Sequence, residues 1–222
     1  MLLRLPGALP PATVARWRAA LAGQPGGSLK LADALPLAEV LQALMPVTQL
    51  KPLKPLTVAL RQHLGTAWQL VVSQCWVRRA QPTHQWHQDG ALHFDFAAPR
   101  LGPATPPADA LLPMFTCWLP LDDCGVDAPG LEWLQPSPQC LLLPAELRDE
   151  HLRGRFGASA FSHPALGAGE VLLFGGALVH RTHWLPTMTR PRTSIELRFI
   201  AAGPPPARLA LETLLPVRSA IR

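Results

Sequence analysis

Residues 84–96 read HQWHQDGALHFDF, and they contain the pattern His-x-Asp twice, at His87 and Asp89 and again at His93 and Asp95. Successive side chains of a β-strand point to opposite faces, so the first and third residues of such a triplet share one face. An imidazole and a carboxylate on the same face can bind one metal ion. The stretch therefore predicts a metal site on a strand, with two candidate pairs of ligands.

A third ligand is expected from a distant strand. Residues 169–184, GEVLLFGGALVHRTHW, place His180 after an apolar strand and a Gly-Gly turn. With His87 and Asp89 it would complete the two-histidine, one-carboxylate triad of non-haem Fe(II) oxygenases, which leaves positions open for oxygen and an organic cosubstrate. Zinc enzymes use the same residue types, but the sequence lacks the helical H-E-x-x-H pattern. The pair His93 and Asp95 stays open as the alternative.

Two further histidines lie near these motifs. His183 follows His180 by three residues, which is the opposite parity on a strand, so its side chain should point away from the metal. We assign His84 and His183 to the surface or to the surroundings of the ligands.

Residues 189–199, TRPRTSIELRF, predict an anion site. On a strand, Arg192, Ser194, Glu196 and Arg198 share one face, and apolar residues occupy the other. If the apolar face packs against an outer layer, the polar face lines the interior, and two arginines there require an anion. A dicarboxylate fits, because the guanidinium fork accepts a carboxylate through two parallel hydrogen bonds.

Three residues are candidate contacts for this anion. Arg192 is preferred to Arg198, because Glu196 lies two residues from Arg198 on the same face and can pair with it. Ser194 would add a hydroxyl. Gln74, on the strand before the metal motif, either reaches the same ligand or is a buried glutamine with a structural partner.

Composition predicts a globular chain of short strands. Of the 222 residues, 48% are hydrophobic and 16% charged, and the 26 prolines and 16 glycines are scattered without a period. We expect a single domain over residues 1–222, with a helical part at about 1–66, a jelly-roll core at about 67–202 and a tail at about 203–222.

The predicted fold class is α+β, mainly β, with N-terminal helices packed on a jelly roll. Apolar spacing predicts helices at 12–23, 37–44 and 56–64. Strands are predicted at 68–79, 114–119, 140–143, 171–174, 178–182 and 193–200. The proline-rich segment 97–113 is either a lid or an ordinary surface loop.

Charge and cysteine content restrict the partners. The net charge is +5, but no basic run exceeds two residues, so we expect no nucleic acid as a partner. No stretch is long and apolar enough for a membrane span, and the four cysteines have no C-x-x-C spacing. These features predict a cytoplasmic protein with free thiols that acts on a small molecule as a monomer or homodimer.

The order of motifs resembles a known family. WHQD at 86–89, GEVLLF followed by HRTHW, and RTSIELRF at 192–199 are similar to the Fe(II)/2-oxoglutarate-dependent dioxygenases, and among them to the phytanoyl-CoA dioxygenase-like group. CWLPLDDCGVDAPGLEWL at 117–134 resembles the central strand and loop of that group. The resemblance covers about residues 70–200.

The resemblance implies a double-stranded β-helix of the jelly-roll, cupin-like type and a specific set of ligands. Fe(II) would be held by His87, Asp89 and His180, while Arg192 would pair with the distal carboxylate of 2-oxoglutarate with help from Ser194. The cosubstrates 2-oxoglutarate and O2 would give succinate and CO2 while a small molecule is hydroxylated. Asp89 stands where related halogenases have a small residue, which favours hydroxylation over chlorination.

Other outcomes stay open. Desaturation, cyclisation or epimerisation would use the same iron, and a jelly roll could instead bind a metal or an anion without turnover. Residues 135–139 read QPSPQ where many members of the family carry a turn similar to Pro-Gly-Ser-His, so substrates of known members are not transferred to this chain.

Overall fold

The computed structural model describes residues 1–45, 55–79, 84–96 and 110–218, and within them the chain forms five α-helices and twelve strands. The helices are α1 (Pro11–Leu21), α2 (Leu31–Ala34), α3 (Leu37–Leu44), α4 (Pro55–Leu64) and α5 (Asp149–Phe156). The strands are β1 (Leu2–Leu5), β2 (Gly27–Lys30), β3 (Ala67–Val71), β4 (Trp76–Arg79), β5 (His87–Gln88), β6 (Met114–Pro120), β7 (Gly130–Leu134), β8 (Phe161–Ser162), β9 (Val171–Gly175), β10 (Val179–His183), β11 (Thr193–Ala201) and β12 (Leu214–Arg218).

The strands of the described residues form two antiparallel sheets. The larger sheet has eight strands in the order β1-β9-β6-β11-β3-β12, with β4 paired to β11 and β2 paired to β4. The smaller sheet has four strands in the order β5-β10-β7-β8. The predicted mixed α+β fold is confirmed at this level.

Prolines and apolar spacing account for the first helices. Pro11 is the first residue of α1, where its missing N–H leaves no helical hydrogen bond unmade. Val14, Trp17 and Leu21 of α1 are buried on one face, at the spacing predicted from the sequence. α3 spans the predicted residues, and α4 begins one residue earlier than predicted.

β11 separates a core from a pocket. Its residues Ile195, Leu197 and Phe199 are fully buried in the same apolar cluster as Trp17 of α1 and Leu60 of α4. Each such side chain contributes about 1.5–3 kcal/mol to stability. The predicted division of β11 into an apolar face against the helices and a polar inner face is therefore found in the structure.

A second apolar cluster lies between the sheets. It joins Trp118 of β6 and Phe174 of β9, from the larger sheet, to Leu131 and Trp133 of β7, from the smaller sheet. The inner faces of the two sheets therefore face each other, and the polar residues of β11 lie in the same interior.

The strand predicted at 140–143 is wrong. Leu141 and Leu142 are buried, yet the segment is a loop. Its backbone bonds to a side chain instead of a strand: Gln88 Nε2 donates to Cys140 O, and Leu142 N donates to Gln88 Oε1. Prolines at 136, 138 and 144 flank the loop and disfavour pairing with a neighbouring strand.

Several elements were not predicted. β1 and β2 lie in the part expected to be helical, β12 lies in the expected tail, and the predicted strand 68–79 is broken by a 3-10 turn at Val72–Gln74. Most of the suggested lid, 97–109, lies outside the described residues.

In the described part of the chain no helix exceeds eleven residues, and none is long and apolar enough to cross a membrane.

Candidate metal and anion site

Three metal-ligand candidates meet at the smaller sheet. β5 pairs with β10 so that His180 lies directly opposite His87, with ring centroids 4.2 Å apart. β5 ends at Gln88, and Asp89 is the first residue of the 3-10 turn that follows. The carboxylate of Asp89 points towards both imidazole rings. One ligand atom from each of the three residues lies within 4.8 Å of the others.

The three ligand candidates lie close to the spacing that one ion requires. His87 Nε2 lies 3.8 Å from Asp89 Oδ1, and His180 Nε2 lies 4.0 Å from Asp89 Oδ2. Metal bonds of about 2.0–2.2 Å at right angles place neighbouring donors about 3 Å apart. The side chains would therefore close in by about 1 Å to bind a single ion.

The main chain selects the nitrogen that each histidine presents. His87 Nδ1 lies 2.6 Å from Gln85 O, and His180 Nδ1 lies 3.0 Å from Leu178 O. A carbonyl oxygen can only accept, so Nδ1 carries the proton in each ring and Nε2 keeps its lone pair. Such hydrogen bonds also orient metal-bound histidines in other proteins.

Two glycines bring the segment after Asp89 against the turn before His180. Gly90 N donates to Gly176 O over 2.8 Å. A Cβ on Gly176 would lie 2.9 Å from Gly90 Cα and 2.9 Å from Leu112 O. The Gly-Gly turn seen in the sequence is therefore required by a close backbone approach beside the site.

Asp89 is buried and held as a carboxylate. Arg198 Nη2 donates to Oδ1 over 2.8 Å, and Thr116 Oγ1 donates to Oδ2 over 2.5 Å. Burial, the largest single influence, would raise the pKa of Asp89, but Arg198, the two neighbouring histidines and the hydrogen bond from Thr116 together hold that pKa well below its ordinary value. Burial, with the neighbouring His180, lowers the pKa of His87 to about 4, so both groups are in the metal-binding form at pH 7.

Arg192 and Ser194 form a second polar group in the same interior. The guanidinium carbon of Arg192 lies 5.3 Å from the centroid of the Trp118 ring, and burial lowers the pKa of Arg192. Arg192 Nε and Ser194 Oγ have no hydrogen-bond partner within the described residues. Buried donors of this kind are normally satisfied, and Arg192, which lines the pocket, is suited to an anion that enters it.

One pocket is lined by the three ligand candidates and by Arg192. The space between its walls measures about 400 Å³ when its open mouth is included. Its polar walls include the three ligand candidates, Arg192, Arg78, Glu196, Arg198 and Thr116, and its apolar walls include Trp118, Leu131 and Phe174.

The structure separates the remaining candidates. Gln74 Nε2 donates to Glu212 Oε1 over 3.1 Å, which is the structural partner that the sequence left open. His93 also contacts Glu212 and lies outside the metal cluster. His84 lines the pocket, with its ring centroid 5.6 Å from that of His87.

The outer face of β10 is fixed by a buried carboxylate. Glu132 of β7 accepts a hydrogen bond from Arg181 Nε over 2.7 Å and another from Arg153 Nη2 over 2.8 Å. His183 Nδ1 lies 4.0 Å from Glu132 Oε2, so His183 points away from the pocket as its parity predicted. The network holds the strand that carries His180.

Sequence reasoning missed Thr116 and Arg78 as pocket residues. Both could be found from alternation once the strands are paired: Thr116 lies opposite Arg198 in the register of β6 and β11, and Arg78 lies opposite Ser194 in that of β4 and β11. The pairing of strands distant in sequence was the missing information.

No protein-family model and no curated protein matches the sequence. Solved structures do match the fold. HygX from Streptomyces hygroscopicus, determined with nickel and 2-oxoglutarate bound, is 18% identical, with a TM-score of 0.62 over 90% of this chain and 81% of that chain. EctD from S. alaskensis, determined with 2-oxoglutarate and 5-hydroxyectoine, is 17% identical, with a TM-score of 0.62 over 90% of this chain and 72% of that chain.

A third similar structure is SnoN, a non-haem α-ketoglutarate-dependent epimerase from nogalamycin biosynthesis. It is 17% identical, with a TM-score of 0.56 over 90% of this chain and 78% of that chain. The fold of this chain is thus similar to that of non-haem iron and 2-oxoglutarate-dependent proteins, the class that the sequence motifs resemble.

The residues fit Fe(II) and a dicarboxylate on their own chemistry. Two imidazoles and one carboxylate match the donor set of non-haem iron. The Nε of Arg192, which lines the same pocket and has no partner within the described residues, matches a carboxylate.

Proposed function

We propose that the protein is a non-haem Fe(II)- and 2-oxoglutarate-dependent dioxygenase that hydroxylates a small molecule, with O2 as a cosubstrate and succinate and CO2 as products. The observation that carries the proposal is that a cluster of His87, Asp89 and His180 lines the same pocket as Arg192, whose buried Nε has no hydrogen-bond partner within the described residues. The similarity in fold to HygX and EctD supports it.

Each residue has a stated role in this proposal. His87, Asp89 and His180 hold Fe(II), which with bound 2-oxoglutarate activates O2 for oxidation of a C–H bond. Arg192 binds the distal carboxylate of 2-oxoglutarate through its guanidinium fork, and Ser194 adds a hydroxyl to the same carboxylate. Gln74 contributes through its main chain, because its carbonyl accepts a hydrogen bond from Arg198 Nη1 over 2.7 Å.

The rest of the pocket controls polarity and water. Trp118, Leu131 and Phe174 form an apolar wall that limits water beside the metal ligands. The Trp118 ring lies under the guanidinium of Arg192 and keeps its planar fork oriented. This preorganisation reduces the entropy lost when a dicarboxylate binds.

Epimerisation is the second candidate reaction, and the similarity to the epimerase SnoN favours it among the alternatives. It would use the same iron and the same anchor. Product analysis with an identified substrate separates it from hydroxylation, because epimerisation adds no oxygen to the product.

We further propose that the two sheets form the double-stranded β-helix of such dioxygenases. We also propose a cytoplasmic monomer or homodimer that acts on a small molecule without nucleic acid or membrane. All four cysteines are free, which supports a reducing compartment.

The test needs no substrate. Purified protein is mixed without oxygen with Fe(II) and 2-oxoglutarate, and the weak visible charge-transfer band of the chelate is recorded. We expect a band in the wild type, its loss in His87→Ala and Asp89→Ala, and a requirement for far more 2-oxoglutarate in Arg192→Ala. Absence of the band together with absence of calorimetric binding of 2-oxoglutarate would refute the proposal and favour a non-catalytic metal-binding jelly roll.

A further inference from the structure

Four charged side chains of alternating sign run along the inner face of β4 and β11 to the metal site. Arg78 Nε and Nη2 each lie 3.3 Å from an oxygen of Glu196. Glu196 Oε2 lies 3.5 Å from Arg198 Nη2, and the same nitrogen lies 2.8 Å from Asp89 Oδ1. The chain of charges therefore ends on a candidate metal ligand.

The network is buried, so its partners are not exchanged freely with water. The side chains of Asp89 and Arg198 are 4% and 9% exposed, and those of Glu196 and Arg78 are 11% and 14% exposed. Although burial alone would raise the pKa of Glu196, Arg198 and Arg78 hold it below its ordinary value. Breaking a buried pair leaves an uncompensated charge, which resists rearrangement.

Arg198 is held by three separate elements. Nη1 donates to Gln74 O in the 3-10 turn, while Nη2 contacts Asp89 after β5 and Glu196 on β11. Its Nε lacks a partner within the described residues, and a single N–H cannot form the two-pronged contact with a carboxylate. Both Nη atoms of Arg198 are thus hydrogen-bonded within the protein, one of them to Asp89, whereas Nε of Arg192 has no partner within the described residues and no such bond to a metal-ligand candidate is found.

The second donor to Asp89 is aligned with the first. Thr116 lies directly opposite Arg198 in the register of β6 and β11, and each donates to a different carboxylate oxygen. Two donors from neighbouring strands fix the plane of the carboxylate, and each oxygen keeps a lone pair that can reach the ion.

We propose that Arg198 is a positioning residue that, with Thr116, fixes the Asp89 carboxylate for metal binding, and that it takes no part in anchoring the cosubstrate. The proposal rests on the proposed function for the identity of the metal. Partners of metal ligands typically change metal affinity 10–100-fold when removed, and we expect that range for loss of the Arg198 contact.

The experiment separates metal binding from cosubstrate binding. Co(II) is titrated into metal-free protein without 2-oxoglutarate, and its visible d–d bands report affinity and coordination geometry. Calorimetry of the Co(II)-loaded protein then gives the affinity for 2-oxoglutarate. Arg198→Gln, Arg198→Lys and Thr116→Val are compared with Arg192→Gln, a matched control because Arg192 directly precedes β11 and lines the same pocket.

The two arginines should give opposite patterns. Arg198→Gln should weaken Co(II) binding 10–100-fold and alter the d–d bands, while saturating metal restores 2-oxoglutarate affinity to within about threefold. Arg198→Lys should be intermediate, because an ammonium keeps the charge but not the planar fork. Arg192→Gln should keep Co(II) affinity and lose 2-oxoglutarate affinity.

Thr116→Val keeps the proposal testable if Arg198→Gln does not fold, because valine has nearly the shape of threonine and lacks only the donor. It should weaken Co(II) binding about threefold to tenfold, a smaller loss because Thr116 is a neutral donor. Thermal unfolding of the metal-free variants shows whether each one folds.

Unchanged Co(II) affinity in Arg198→Lys and Thr116→Val would overturn the inference. So would a loss of 2-oxoglutarate affinity, at saturating metal, in the Arg198 variants. If the wild type binds Co(II) but no 2-oxoglutarate, the proposed function fails while the positioning role is still decided by the metal titration.

Discussion

Alanine in place of Gly176 should damage both the fold and the metal site. Its Cβ would lie 2.9 Å from Gly90 Cα and 2.9 Å from Leu112 O, whereas ordinary contacts to carbon are about 3.5–4.0 Å. Both neighbours are backbone atoms, so no rotation of a side chain relieves the contact. Overpacking of this kind costs about 1–3 kcal/mol, and contacts on two sides favour about 2–3 kcal/mol.

Gly154 provides the matched control. It lies within α5, and a Cβ there meets nothing within 4 Å. Gly154→Ala should therefore raise the free energy of unfolding by about 0.5–1 kcal/mol, because alanine loses less conformational entropy in a helix than glycine does. Urea denaturation measures both variants, and the melting temperature of Gly176→Ala should fall by about 4–12 °C.

The same substitution should weaken metal binding. Gly90 directly follows Asp89, and its N–H donates to Gly176 O, so relief of the contact must move the turn that carries the carboxylate. A Co(II) titration of Gly176→Ala should show weaker binding than Gly154→Ala. Wild-type stability and metal affinity in Gly176→Ala would refute the assignment of this glycine to a close backbone approach.

Three further predictions follow from other contacts. Glu132→Gln should lower the free energy of unfolding by about 2 kcal/mol, because the buried Glu132 carboxylate loses its charge-assisted hydrogen bonds while the partly exposed arginines limit the loss. Urea denaturation measures this against the exposed control Glu150→Gln. Trp118→Leu should weaken 2-oxoglutarate binding about fivefold by calorimetry, a loss of about 1 kcal/mol of cation–π support for Arg192; unchanged affinity would contradict that role. Of the four cysteines only exposed Cys140 should react promptly with a thiol reagent at pH 8 before denaturation, and rapid reaction of more than one would contradict the burial of the others.

The cysteine prediction has an electrostatic cause. Burial raises the pKa of Cys75 to about 11 and that of Cys124 to about 12, so the reactive thiolate is scarce at pH 8. Both thiols are enclosed by apolar residues of the core clusters. Their reactivity should rise sharply in denaturant.

Local periodicity was enough to predict the parts of the site that lie on single strands. The alternation of β11 correctly separated its apolar core face from the polar face that carries Glu196 and Arg198 into the pocket. The parity of His183 relative to His180 was equally informative, since the two histidines lie on opposite faces of β10.

Long-range pairing could not be predicted in the same way. The apolar run at 140–143 has the composition of a strand, but Gln88 satisfies its backbone groups, and no local pattern indicates that partner. The inward position of Thr116 likewise depends on the register of β6 against β11, which is fixed by residues about eighty positions apart. Elements whose identity depends on distant partners were therefore the ones missed.

Arg192 and Arg198, which lie six residues apart, show why proximity in sequence is a poor guide to the roles of two arginines. The sequence suggested that Glu196 would pair with Arg198, and the structure gives Glu196 a second partner, Arg78, at 3.3 Å, while Arg198 reaches Asp89 at 2.8 Å. Because Glu196 is shared, neither arginine beside it is left with an unmatched charge. Nε of both Arg192 and Arg198 lacks a partner within the described residues, but both Nη atoms of Arg198 are hydrogen-bonded, to Gln74 and Asp89. In the proposed function, the charges beside Glu196 and Asp89 are therefore matched within the protein, and Arg192 is the arginine that meets an incoming carboxylate.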